Sequence, residues 1–445
     1  MGGFGPPNSM QDIKAVTEKI FAAHREGNLD LAEAMYDQVL SQLTYPDPNI
    51  LYGYGSLLVQ REKFGTGVLL LEAAARQYDK HAGIWTNLGV AYKYLGKDDL
   101  AMAAYERAYA IEPNAVEVLA GMSGYYVNRN ASKKAEELAR KALAKADHPA
   151  AHMHLGLALL EQGRFEEAWP EYEHRWNTAE NLKKRRNYVS PVWDGRPVKK
   201  LVIHGEQGLG DEILFMSLFA KARERADIIV IECATRLVKL FQSAFKVRCY
   251  GTERELMAAE PPEDAHVAMG SLPMVLGLPN GKPYMPKPGG FIRGQRLRVG
   301  IAWRGGTLRT NKNYRSLDLA QFKPIFEASN AKFISVQYGD DDVDNIAKEH
   351  GLATGPRDFD ALQERIGSCD LVISVIQTAV HQAGAMGVPC WALVPRMSSW
   401  PFCGGMIKHA YSTVEQFLQA EDGSWDAPIG QIVDRLKQME VVRAA

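Results

Sequence analysis

The chain has 445 residues, of which 46% are hydrophobic and 24% charged, with 39 Gly and 22 Pro, a composition that belongs to folded globular domains and excludes a disordered or fibrous chain. At roughly 100–200 residues per domain, this length implies two or three domains. Lys plus Arg number 52 against 53 Asp plus Glu, a net charge of -1, so there is no global electrostatic case for a nucleic-acid binder or a polybasic membrane protein, and any anion site must be local.

No apolar run reaches the about 18 residues that a spanning helix needs, and the start, MGGFGPPNSMQDIK, has no basic region followed by an apolar core. The expectation is a cytoplasmic protein without a secretory signal. The five cysteines (Cys233, Cys249, Cys369, Cys390, Cys403) form no C-x-x-C pair and are odd in number, which predicts free thiols. His148, His152 and His154 have no cysteines or carboxylates at ligand spacing, and no metal site is expected.

In chain order, the first feature is an internal period. Leu88-Gly89 and Leu155-Gly156, Gly96 and Gly163, and Ala101 and Ala168 are each 67 residues apart, twice the roughly 34-residue helix-turn-helix period. Ala135 and Gly55 fall at intermediate positions, and about five units cover 11–176. This pattern resembles the tetratricopeptide repeat, most plainly over 85–114. Small residues at Gly89, Ala101 and Ala108 let the two helices of a hairpin approach, Tyr92, Leu95 and Tyr105 fill the gap to the next hairpin, and Pro113 ends a helix. Such arrays present a concave surface to a peptide or partner protein.

After Trp176 the pattern changes to short apolar runs alternating with helical stretches, the signature of parallel α/β units. Strands are expected at 201–204, 227–232, 246–250, 299–303, 332–337, 370–375 and 389–394, with a Pro/Gly-rich interruption at 277–290 dividing them into two nucleotide-fold halves.

Three motifs sit at strand ends. In IHGEQGLGDEILF (203–215) a buried strand runs into a turn with Gly205, Gly208 and Gly210 and then a helix, so that backbone N–H groups face whatever binds above the sheet. Asp211 is there either as a general base or as an acid favouring the helix's positive end, and Glu206 on the same turn is a second carboxylate. In LRVGIAWRGGTLRTNKNYRS (297–316), the stretch from Arg293 to Arg315 carries six arginines, one lysine and no acid. Arg304, Arg309, Lys312 and Arg315 suit a diphosphate, since guanidinium offers paired donors and stays charged; the alternative is a solvated loop paired with acids elsewhere. In DLVISVIQTAVHQAGAMGVPCW (370–391) Gln377 and Thr378 begin a helix whose free N–H groups favour an anion. His381, one turn on, either donates to a phosphate or is a satisfied core histidine, and Gly384, Ala385 and Gly387 allow close packing on the sheet. The triple Asp at 340–342 reads as a solvated helix start.

Taken in this order after the repeats, these motifs, with YEHRW at 172–176, VWDG at 192–195, YRS at 314–316, FISVQYG at 333–339 and Trp400, resemble bacterial glycosyltransferases of the heptosyltransferase-like GT-B group fused to tetratricopeptide repeats. They are more distantly similar to protein O-linked N-acetylglucosamine transferases. The resemblance implies a multidomain α plus α/β chain, a repeat solenoid (10–178) followed by a GT-B pair of Rossmann-like lobes, with an acceptor-side lobe (198–290) and a nucleotide-sugar lobe (296–445). It implies a metal-independent inverting transfer with a nucleotide sugar as co-substrate, no other cofactor, and a protein or peptide acceptor presented by the repeats. Asp211 becomes the catalytic base on the acceptor-side loop with Glu206, Gly208 and Gly210. Trp303, Arg304, Lys312, Arg315, Gln337, Gln377, Thr378, His381 and Gly384 become the donor site. One departure is that many relatives read SVDT or SVCT where this chain has Ser374-Val375-Ile376-Gln377. The alternative is a catalytically inactive repeat scaffold that mediates protein-protein contacts.

Overall fold

The computed structural model describes residues 10–43, 46–182, 184–287, 296–306, 314–339, 341–352 and 355–444. Of these described residues, those from 10 to 126 together with 133–154 form one compact unit, and those of 127–132 together with those from 155 to 444 form another.

The repeats are built from helices α1 (Met10–Arg25), α2 (Leu29–Gln42), α3 (Pro48–Gln60), α4 (Phe64–Gln77), α5 (Ala82–Tyr94), α6 (Asp98–Ile111), α7 (Val116–Val127), α8 (Ser132–Leu143), α9 (Pro149–Glu161) and α10 (Phe165–Glu173). The period is written most clearly in the turns between paired helices. Gly27, Glu62, Gly96, Asn130 and Gly163 all take left-handed backbone conformations, 33 to 35 residues apart. Only glycine adopts that conformation without a Cβ penalty, so Glu62 (φ 62°) and Asn130 (φ 55°) hold it at a cost. Helix pairs close on small residues, as expected: a Cβ on Gly89 would lie 2.9 Å from the Tyr105 ring, and Ala101 and Ala108 are fully buried. Leu95, expected to fill the gap between hairpins, is instead 40% exposed, because the helix has already ended at Tyr94 and the side chain leaves the packed face.

The expected boundary at 178 does not coincide with the division between units, since 155–176 belongs with the α/β part. The reason is a set of close contacts within that unit. A Cβ on Gly156 would meet the Tyr172 backbone nitrogen at 2.6 Å, and the Gly404 position lies directly against the Leu160 carbonyl. Arg175, 2% exposed, donates to Glu206 Oε1 at 2.7 Å and Oε2 at 3.1 Å, to Glu173 Oε1 at 2.5 Å and to Ser271 Oγ at 2.9 Å. Its guanidinium also lies over the Tyr172 and Trp176 rings. A buried cation satisfied on all sides fixes the chain leaving the repeats to the loop after the first strand.

Among the described residues, the α/β unit holds two all-parallel sheets. The first contains β1 (Val198–His204), β2 (Ala226–Glu232), β3 (Arg248–Tyr250) and β4 (Ala265–Ala268) in the order 3-2-1-4. The second contains β5 (Arg298–Ala302), β6 (Lys332–Ser335), β7 (Leu371–Val375), β8 (Cys390–Val394) and β9 (Val414–Leu418) in the order 6-5-7-8-9. The expected strands are present with shifted ends, while β4 and β9 were not anticipated. β7 and β8 are buried along their whole length, as strands covered on both faces must be. The interruption at 277–290 is, over its described part, no free linker: the Tyr284 and Met285 N–H groups both donate to the Ala385 carbonyl at 2.9 Å, and Ser412 N–H donates to Gly281 O at 3.1 Å. All five cysteines are free thiols, and among the described residues no helix is long and apolar enough to cross a membrane.

Candidate active cleft

In open parallel sheets the binding crevice lies beyond the carboxyl ends of the strands, at the point where strand order reverses. That point is at β1 next to β4 in the first sheet and at β5 next to β7 in the second. The three motifs begin there: Gly205 follows β1, Trp303 follows β5 and Ile376 follows β7. Gln207–Asp211, Arg304, Arg315, Gln377, Thr378 and His381 line a single cleft of about 870 Å³ within the α/β unit.

Asp211 lies in the first turn of the helix Leu209–Phe215 and is half-buried. Burial pushes its carboxyl above the usual range, while the Arg315 guanidinium and the Gly208 backbone pull it back. A carboxylate of raised basicity beside a cation suits proton abstraction. The loop before it depends on glycine at two close approaches: a Cβ on Gly205 would lie 2.5 Å from Glu212 Oε1, and one on Gly210 2.9 Å from the His381 ring. Gly208 caps the helix with an ordinary extended backbone. Glu206 is not free to act as a base, because the Arg175 guanidinium and the Gly270 N–H, at 3.1 Å, occupy its carboxylate.

On the opposite wall, Arg315 donates to the Ile376 carbonyl at 3.0 Å, and burial lowers its pKa against the opposing effect of Asp211. Arg304 lines the cleft. Arg309 and Lys312 lie outside the described residues. Gln377 caps the helix Thr378–Met386, and its Nε2 is buried with no partner among the described residues, a donor waiting beside the first free N–H groups of that helix.

Three expected donor contacts are corrected. Trp303 is 1% exposed and packs in the core of the second sheet, because the chain directs it inward where β5 ends. Gly384 does not line the cleft; it makes room for Tyr411, whose ring a Cβ there would strike. Gln337 reaches the cleft but its amide is committed to the protein: Oε1 accepts from the backbone of Trp303 at 3.0 Å and Arg304 at 2.8 Å, and Nε2 donates to Tyr338 O at 3.2 Å. It therefore holds the backbone of Trp303 and Arg304 in place.

One further wall was not anticipated. Val127, Asn128, Leu157 and Glu161, from the ends of α7 and α9, line the same cleft together with Met397–Phe402. Glu161 Oε2 is buried without a partner among the described residues, and burial pushes the carboxyl up to about 9. Nothing in the repeat consensus marks these positions; the only sequence signal nearby is the YEHRW junction. Glu212, 4% exposed and pushed up to about 7 by burial, accepts from Ala234 N–H at 3.0 Å and supports the loop from behind.

Residues 82–115 and 125–176 match tetratricopeptide-repeat families. The array is thus a tetratricopeptide-repeat array. Over 428 residues the chain is 24% identical to Protein FlbA of Caulobacter vibrioides, covering 83% of this chain and 69% of that protein. The peroxisomal targeting signal receptor of Komagataella phaffii is 29% identical over 117 residues, which is 26% of this chain and 20% of the receptor. Among solved structures, a thermophilic tetratricopeptide-repeat protein of Thermus thermophilus covers 38% of this chain and 93% of its own at 18% identity with a TM-score of 0.34. MamA covers 40% and 97% at 19% identity with a TM-score of 0.30.

Proposed function

We propose that the chain is a glycosyltransferase that moves a sugar from a nucleotide-sugar donor to an acceptor hydroxyl, with the GT-B arrangement of two lobes. The observation that carries this reading is the convergence of two parallel sheets' switch-point loops on one cleft, with a carboxylate on one side and cations with a helix start on the other. Asp211 takes the proton of the acceptor hydroxyl as it attacks the anomeric carbon. Arg304, Arg315, Gln377 Nε2 and the N-terminal N–H groups of the Thr378–Met386 helix stabilise the departing diphosphate, where negative charge grows most in the transition state. This route needs no metal or further cofactor. The repeats, as protein-interaction modules, support a protein or peptide acceptor, and a cytoplasmic site of action accompanies the reading.

The second reading, an inactive scaffold, draws on the apolar Ile376, fully buried, where relatives of the resembled group carry a polar residue. Incubation with a panel of nucleotide sugars and assay of nucleotide release separates the two. Release that falls about 10²–10⁴-fold in Asp211→Asn supports the transferase; release from no donor supports the scaffold.

A further inference from the structure

A second cavity, of about 480 Å³, lies wholly within the repeat unit and is lined by the last turns of α1, by α3, by Tyr36 of α2 and by His81, which precedes α5. Arg25 and Gln60 are exposed and open it to solvent, while its walls are largely rings. The centroids of Phe21 and Tyr36 are 6.5 Å apart, and those of Tyr52 and His81 are 4.6 Å apart. Gly53 makes the room, since a Cβ there would strike the Tyr36 hydroxyl and lie 2.8 Å from the Phe21 ring.

Two polar atoms of these walls, the Tyr36 hydroxyl and His81 Nδ1, are buried with no partner among the described residues. Tyr36 is fully buried and stacks on Tyr54 at 5.0 Å. Its neighbours in the array are treated differently: Tyr54 donates its hydroxyl to Asp37, and Tyr92 donates to Glu72 at 2.5 Å. A buried hydroxyl without such a partner costs free energy that only a water or a ligand can return.

The lining limits what that ligand is. Arg25 is its one fixed cation and none of the lining residues is an acid, so an ammonium or guanidinium group finds nothing to neutralise it. A carboxylate would lose its water beside neutral partners, with Arg25 out at the exposed mouth. A wholly apolar side chain leaves the polar atoms unpaired. A phenol meets each demand, because its ring packs among rings and its hydroxyl both donates and accepts. We infer that this cavity is a recognition pocket for a tyrosine side chain of a peptide held by the repeats, its ring beside Phe21 and Tyr52 and its hydroxyl paired with that of Tyr36. His81 Nδ1 offers the same peptide a second polar contact.

The test is selection of a random phage-displayed peptide library on the full-length protein, read by sequencing. Calorimetry then compares the most enriched peptide with the same peptide carrying phenylalanine in place of tyrosine. Tyrosine should be enriched at one position, and its peptide should bind about tenfold tighter or more than the phenylalanine version. Tyr36→Phe keeps the ring on Tyr54 and should close that gap to within about threefold, with a melting temperature no lower than wild type. Should Tyr36→Phe fail to fold, His81→Phe, which keeps a ring at a half-buried position, is expected to weaken the tyrosine peptide severalfold. Absence of any enriched peptide, enrichment of acids or tryptophan instead of tyrosine, or binding unchanged in both variants overturns the inference and leaves the hydroxyl to water. The pocket belongs to the repeat unit, so its failure and that of the transferase reading, which is seen in nucleotide release, are separate results.

Discussion

Glu161 sets the cleft wall formed by the last repeat against the energetics of the fold. Its carboxyl ionises near 4.5 in an unfolded chain and near 9 in the folded one. Between those values the folded state binds the additional proton, so stability falls as pH rises from about 4.5 to about 9 and is fully retained only below that window. At pH 7 the 2.5-unit gap corresponds to about 3 kcal/mol at 1.36 kcal/mol per unit, with 4.5 as the reference. Water within the cleft screens part of this, leaving about 1–3 kcal/mol. Glu161→Gln keeps size and a donor while removing the titration. It should raise the melting temperature at pH 7 by about 2–6 °C, less at pH 5 and more at pH 8.5. Melting followed by circular dichroism from pH 5 to 9 checks it. Parallel curves for variant and wild type would refute the claim that this carboxyl is buried as a neutral acid.

Three other outcomes follow from named contacts. Arg304→Ala should weaken a nucleoside diphosphate at least tenfold more than the nucleoside, because a charge-assisted phosphate contact is lost; equal losses by calorimetry would remove Arg304 from the diphosphate site. Arg175→Met should destabilise the α/β unit by about 3–5 kcal/mol in urea unfolding, because Glu206 is left buried and unpaired; a change below about 1 kcal/mol would contradict the anchoring role. Glu62→Gly should stabilise the repeats by about 0.5–1 kcal/mol, since glycine takes the left-handed turn without strain; a lower melting temperature would show that the turn carries no such strain.

The repeats and the alternation of strand and helix were legible because both are periodic, and periodicity survives without tertiary information. The strand-end positions Gly205–Asp211, Arg304 and Gln377–Thr378 were legible because glycine, arginine and helix-start residues at strand ends have few other uses. What failed was direction. A side chain just past a strand end can turn to either layer, and Trp303 turned to the core while Arg304 took the cleft. β9 escaped notice because its sequence, VEQFL, lacks the period of two that marks a strand: its buried residues, Val414 and Phe417, are three positions apart, and Glu415 and Leu418 are exposed. Glu161 could not be read at all: its place in the cleft depends on a wall from the last repeat meeting Met397–Phe402, more than 200 positions away in the chain. The anchoring of Glu206 by Arg175 is equally non-local, and it converts a carboxylate that looked catalytic into a structural one.

The central claim, that the cleft is a nucleotide-sugar site, is tested most directly by isothermal calorimetry of the full-length protein with UDP, GDP, CMP, ADP and dTDP. The account predicts that one of these binds at a single site, that Arg304→Ala abolishes most of that affinity, and that Asp211→Asn leaves it nearly unchanged. Absence of binding by every nucleotide, or binding untouched by Arg304→Ala, would contradict it.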